Sequence, residues 1–162
     1  MSRQAKETIG TDTLDVVADR GYFKGEEILA CHKAGITVYL PRPQTSRSIT
    51  KGLFSKRDFQ YQPEADAYCC PAGEHLIWRM TQEEDGLAQH SYWSSNCQAC
   101  SIKVRCTTGK ERRVARWEHE AVLEALEARL DKEPERMRVR RQTAEHPFGT
   151  LKVWMGHTHF HM

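Results

Sequence analysis

A strand, a helix and a second strand follow one another within fewer than thirty residues near the start of the chain, and this constrains the fold more than any other feature. Leu14-Asp15-Val16-Val17-Ala18-Asp19 reads as a short buried strand ending on a polar residue. Arg20-Gly21-Tyr22-Phe23 turns the chain, and Gly25 to Ala34 then has helical spacing, with Ile28, Leu29 and Cys31 facing inward and Gly35 as a stop. The β-branched and aromatic run Ile36-Thr37-Val38-Tyr39-Leu40 is a second strand, closed by Pro41 and Pro43. Such a crossover makes the two strands parallel neighbours. Its helix is expected to cover one face of a sheet larger than two strands.

The pattern changes at Gln44. Residues 44–56 are polar and basic and read as a loop. Short β-like pieces follow at Phe59-Gln60-Tyr61, Ala67-Tyr68-Cys69, His75 to Met80 and Gln89 to Trp93, separated by turn signals at Pro71-Ala72-Gly73 and Glu83-Glu84-Asp85-Gly86. This stretch has too few large apolar residues for an independent core, so it calls for an extra clamp. Trp117 to Leu130 reads as a helix with Val122, Leu123, Leu126 and Leu130 on one side. Pro134 starts another helix, which runs through the arginines, is disturbed at Pro147 and reaches Phe148–Lys152.

That clamp has candidates. Cys97-Gln98-Ala99-Cys100 is a C-x2-C turn, Cys106 follows after five residues, and Cys70 opens the turn Cys-Pro-Ala-Gly-Glu. Four thiolates on such turns suit a tetrahedral zinc ion with no open coordination position, a structural site. Cys69 points the other way if its segment is extended, and Cys31 reads as a buried thiol inside the first helix. The alternative is that all of them are reduced, unmetallated thiols.

Charge and composition exclude several classes. The 24 basic and 22 acidic side chains of the 162 residues leave a net charge of +2. No apolar run approaches the roughly 20 residues of a membrane helix, and the polar start, Met1 to Gly10, has no signal-peptide core. The expectation is a soluble cytosolic protein without a disulfide scaffold. Lys110 follows Gly109 without a preceding P-loop, so nucleotide binding has no support. Twelve of the 24 basic residues lie between Lys103 and Arg141, and Arg136-Met137-Arg138-Val139-Arg140-Arg141 contains no acid. That run is either a phosphate-contacting edge or a solvated helix face beside Glu118, Glu120, Glu124 and Glu127. Asp19, at the carboxyl end of a parallel strand, stands where α/β sheets place ligand sites. A partner for it, Glu145, cannot be selected from 22 acids by composition alone.

Two blocks do select it. Val16-Val17-Ala18-Asp19-Arg20-Gly21-Tyr22-Phe23-Lys24-Gly25-Glu26-Glu27-Ile28 resembles the second-aspartate block of bacterial insertion-sequence transposases with a DDE active site. Arg140-Arg141-Gln142-Thr143-Ala144-Glu145-His146-Pro147-Phe148-Gly149-Thr150-Leu151-Lys152 resembles their glutamate block, with Arg141, Glu145 and Lys152 at matching spacing. The cysteine stretch, through Cys106-Thr107-Thr108-Gly109-Lys110-Glu111-Arg112-Arg113, is similar as well.

The resemblance implies a partial RNase H-like α/β core interrupted by a β-rich, zinc-ribbon-like cysteine insert. The core would comprise residues 1–42 and 115–162, and the insert residues 43–114. Asp19 and Glu145 would be catalytic and would ligate magnesium or manganese for in-line attack on phosphodiesters at transposon ends. Arg138, Arg140, Arg141 and Lys152 would contact DNA phosphate, and Tyr22 would pack beside the aspartate. Cys70, Cys97, Cys100 and Cys106 would hold the zinc. Where the family often has a tyrosine three positions before the arginine, this chain has Arg138. The family's first aspartate lies on an earlier strand, and the 18 residues before Asp19 are too few for it; Asp15, about 13 Å along the same strand, cannot stand in. The expectation is therefore a carboxyl-side transposase fragment, inactive alone, in the cytoplasm of a bacterium at its nucleoid, with DNA and a full-length transposase or an upstream-encoded fragment as partners. The alternatives are a zinc-stabilised DNA-binding or transposase-inhibiting module and a non-functional relic. His157, His159 and His161 read as a frayed tail.

Overall fold

Residues 2–44 and 46–145 are described by the computed structural model, which is mixed α/β. They divide into two units, one built from the chain up to Pro43 and from Ala121 onward, the other from Gln44 to Glu120.

In the first unit, β1 (Leu14–Val17) and β2 (Ile36–Tyr39) lie parallel, with Leu14 opposite Ile36 and Val17 opposite Tyr39. Helix α2 (Gly25–Lys33) makes the crossover. Among the described residues this sheet has two strands, not the larger number expected. Of the helix face read as inward, Ile28 is buried, whereas Cys31 is partly exposed rather than buried. The polar start forms a helix, α1 (Ser2–Ile9). Its role explains its polarity. Lys6 Nζ donates to the Ala34 carbonyl at 2.6 Å and Arg3 to that of Ala30 at 3.4 Å, so two cations cap the carbonyl end of α2. Gly35 follows in the left-handed region, at φ 66°, as a helix stop requires.

Helix α3 (Glu120–Lys132) and the short α4 (Glu135–Arg140) complete this unit. Leu123 and Leu126 are buried, as are Val38, Tyr39 and Leu40. Polar contacts tie α3 to β2: Arg129 donates to the Val38 carbonyl at 2.9 Å, and Arg42 pairs with Glu127 at 3.2 Å. The Tyr39 hydroxyl donates to Glu133, and burial together with that carboxylate raises its pKa.

The second unit is a five-stranded antiparallel sheet in sequential order: β3 (Gln60–Gln62), β4 (Ala67–Cys69), β5 (His75–Glu84), β6 (Leu87–Trp93) and β7 (Val114–Trp117). Strand β5 runs four residues further than its alternation suggests, because Asp85 and Gly86 (φ 53° and 77°) make the whole turn between the two strands. A β-bulge between Trp78 and Met80 adds one residue to β5. It brings Trp78 and Thr81 to the same face, where Trp78 Nε1 donates to Thr81 at 3.2 Å and Thr81 meets His90 at 2.8 Å. Strand β7 replaces the start of the expected helix. Trp117 pairs with Gln89 across the sheet, and the Glu120 carboxylate accepts from its amide, so the helix begins only at Glu120.

The core of this unit is Phe59, Tyr68, Leu76, Tyr92 and Val114. Three tyrosines share a polar centre within it. Asp66 Oδ1, in a left-handed turn at φ 44°, accepts from Tyr61 at 2.8 Å and Tyr92 at 2.7 Å. Arg116, 8% exposed, lies 3.6 Å above the Tyr61 ring and donates to the Tyr68 hydroxyl at 3.2 Å.

This centre makes stability depend on pH at both ends. The Tyr92 hydrogen bond is the main cause holding Asp66 below the usual carboxylate range, so its stabilisation is present above about pH 4 and is lost as the pH falls through the lowered value. Burial, then the Asp66 contact, raises Tyr92 above its usual value, so that stabilisation is present below about pH 10 and is lost above it. The urea midpoint of the Gln44–Glu120 unit is expected to be flat through neutrality and to fall steeply in alkali. Tyr92→Phe should flatten that alkaline limb; a limb left unchanged would assign it to other groups.

Candidate functional site

Asp19 lies two residues beyond β1, not within it. It caps the 3-10 turn Arg20–Tyr22, accepting from the Arg20 amide at 2.7 Å through Oδ1. The capping geometry aims the carboxylate outward, and its side chain is 56% exposed. Its other oxygen, Oδ2, is 3.6 Å from Arg140 Nη2. Four residues earlier on each element, Asp15 Oδ2 is 3.2 Å from Arg136 Nη2. Arg136 is itself held by Glu133 at 2.9 Å and lies 5.0 Å from the Tyr39 ring centre. Hydrogen bonding to Arg136 is the largest cause depressing the Glu133 pKa. Two ion pairs therefore hold α4 along β1, and the helix feeds directly into the π-turn Arg141–Glu145.

Of the residues singled out in sequence, Asp19 and Arg140 are brought together. Arg138 and Arg141 are exposed. Tyr22 is 67% exposed. The backbone of Glu145 closes the described chain; its side chain, the whole of Lys152 and the segment Phe148–Lys152 lie outside the described residues. Sequence reasoning missed the Asp15–Arg136 and Asp19–Arg140 pairs. The signal was there: Asp15 and Asp19 are spaced by four, as are Arg136 and Arg140.

In the other unit, Cys70, Cys97, Cys100 and Cys106 line one pocket, whereas Cys69 does not and donates instead to the Cys70 carbonyl at 3.7 Å. Three tight turns put them there. The Gly73 amide returns to the Cys70 carbonyl at 2.8 Å, with Gly73 at φ 82°. The Cys100 amide returns to Cys97 at 3.4 Å, and that of Cys106 to Lys103 at 2.8 Å. Asn96 donates to Glu74 at 3.0 Å and ties the first turn to the second. Burial pushes the Cys106 thiol up, Arg112 opposes this, and the three other thiols add to it.

Among the described residues, no three His, Cys, Asp or Glu side chains are gathered closely enough to hold a metal ion as they stand. At Asp19 the described donor set is one carboxylate, already facing a guanidinium, so it does not by itself fit a divalent cation. In the cysteine pocket the donor set is four thiols, the soft set that zinc takes. No helix of the described residues is long and apolar enough to cross a membrane.

Residues 69–162, more than half of the chain, match the family described as Transposase DDE domain. The chain belongs to that family. The match takes in the cysteine pocket, α4 and the segment through Glu145, and it starts after Asp19. No curated protein and no solved structure matches significantly. The match supports a transposase-type function for the chain at the level of the family.

Proposed function

We propose that this transposase-family chain carries two of the acids of a DDE centre, Asp19 and Glu145, in a partial RNase H-like core. Those acids ligate magnesium or manganese in the complete enzyme, which cuts and joins transposon ends. Arg138, Arg141 and Lys152 bear on DNA phosphate, with Arg140 joining them only when it leaves Asp19, and residues 43–114 are an insert in the core. The chain alone binds DNA without cleaving it, because Asp19 already faces the Arg140 guanidinium. A full-length transposase or an upstream-encoded fragment would supply it, at the nucleoid of a bacterium.

The observation that supports this reading is the pair of ion bridges, Asp15–Arg136 and Asp19–Arg140. They bind the helix leading to Glu145 to the strand leading to Asp19. DNA binding by the purified chain should weaken with salt. Arg138→Ala and Arg141→Ala should each weaken it on all sequences alike and lower the salt slope by about one. Sequence-dependent losses or a salt-insensitive complex would count against the phosphate role. Manganese-dependent nicking by the chain alone, abolished by Asp19→Ala, would overturn its inactivity.

A zinc-stabilised DNA-binding or transposase-inhibiting module is the second reading, favoured by the four thiols on one pocket. It predicts salt-sensitive DNA or transposase binding by a folded chain, with no cleavage even when both acids are replaced.

A further inference from the structure

We propose that Cys70, Cys97, Cys100 and Cys106 hold one structural zinc ion, and that Arg112 is its charge-compensating neighbour. The site rests on the Gln44–Glu120 unit and stands whether or not Asp19 and Glu145 act on DNA.

The first support is convergence. Four of the six cysteines come from three separate turns and line one pocket, while Cys69, adjacent in sequence to Cys70, does not. Each turn is closed by a backbone hydrogen bond at its cysteine. Two of the thiols, Cys70 and Cys106, abut the aromatic core, so an ion there would bind the loops to the sheet.

The second support is independent of the thiols. Arg112 lines the same pocket, its guanidinium 5.3 Å from the Phe59 ring centre, and its Nε is buried without a hydrogen-bond partner among the described residues. A buried N–H with no acceptor carries a desolvation cost that native proteins rarely leave uncompensated. Zinc held by four thiolates carries two net negative charges, and its sulfur atoms accept hydrogen bonds. An anionic metal centre would thus give this guanidinium its missing acceptor, and the guanidinium would offset the charge. Lys103, which also lines the pocket, adds to the same balance.

The thiols are not drawn onto a common point. Thiols have no mutual attraction, and a metal ion bound in place of their protons would gather them.

The test is metal content and ligand count in the purified full chain, with no DNA present. One zinc per chain, released stoichiometrically by a mercurial reagent, is expected. Cobalt substituted for zinc should show the intense visible bands of a tetrahedral site and sulfur-to-metal charge transfer. Serine at Cys70, Cys97, Cys100 or Cys106 should abolish stoichiometric zinc, whereas Cys31→Ser and Cys69→Ser should retain it. Because a serine variant can fail to fold, Cys106→His is the companion: it should keep the metal and shift the cobalt bands. Arg112→Met should keep the stoichiometry and weaken zinc affinity by about tenfold or more. A folded chain with all six thiols free and no zinc would overturn the proposal. So would metal lost on replacing Cys69 but kept on replacing Cys70, or cobalt bands that Cys106→His leaves unchanged.

Discussion

Arg116→Ala is expected to destabilise the Gln44–Glu120 unit by about 3 kcal/mol, seen as a lower urea midpoint and a loss of tyrosine near-ultraviolet circular dichroism. The guanidinium is buried, stacked on Tyr61 and bonded to Tyr68. Truncation removes a desolvated cation–π contact of about 2 kcal/mol. It also leaves the centre around Asp66 short of positive charge, a smaller second loss of about 1 kcal/mol. Arg116→Lys separates the two effects, since it keeps the charge but cannot stack as a plane. An intermediate loss is expected of it. If Arg116→Ala unfolds no more easily than the parent, the cation is incidental to the fold.

The second large effect is in the other unit. Leu126 is 1% exposed, one helical turn from Leu123 at 4%. Leu126→Ala should cost about 3 kcal/mol, through lost transfer energy and the cavity left behind. Leu126→Met, which nearly conserves volume, should cost less than about 1.5 kcal/mol. Hydrogen exchange is the direct readout: amides of β2 and α3 should lose protection together in the alanine variant. Loss confined to α3 would mean that the polar contacts from Arg129 and Arg42, not the leucine stripe, carry the attachment.

How far the sequence reaches can be traced element by element. The parallel pair was legible because β-branched runs flank a helix with a glycine stop. The antiparallel pieces were legible at their turns. Strand β7 was not, because Val-Ala-Arg-Trp places a charged residue at a buried position, where the Tyr61 ring and the Tyr68 hydroxyl receive it. The bulge in β5 was invisible for another reason: it breaks the two-residue period by which strands are recognised. Helix α1 has no buried residue, so no apolar stripe announced it. At the candidate site, spacing singled out the four cysteines that line one pocket, but not Arg112 beside them. The arginine run read as one surface divides in two: Arg138 and Arg141 face solvent, while Arg136 and Arg140 are engaged by acids of β1 and the turn after it.

Lys6 and Arg3 reach the end of a helix nearly thirty residues away. Whatever is fused to the front of this protein, or trimmed from it, will therefore be felt at Ala30 and Ala34. An amino-terminal tag is not a neutral handle here, and a label or purification sequence belongs elsewhere on the chain.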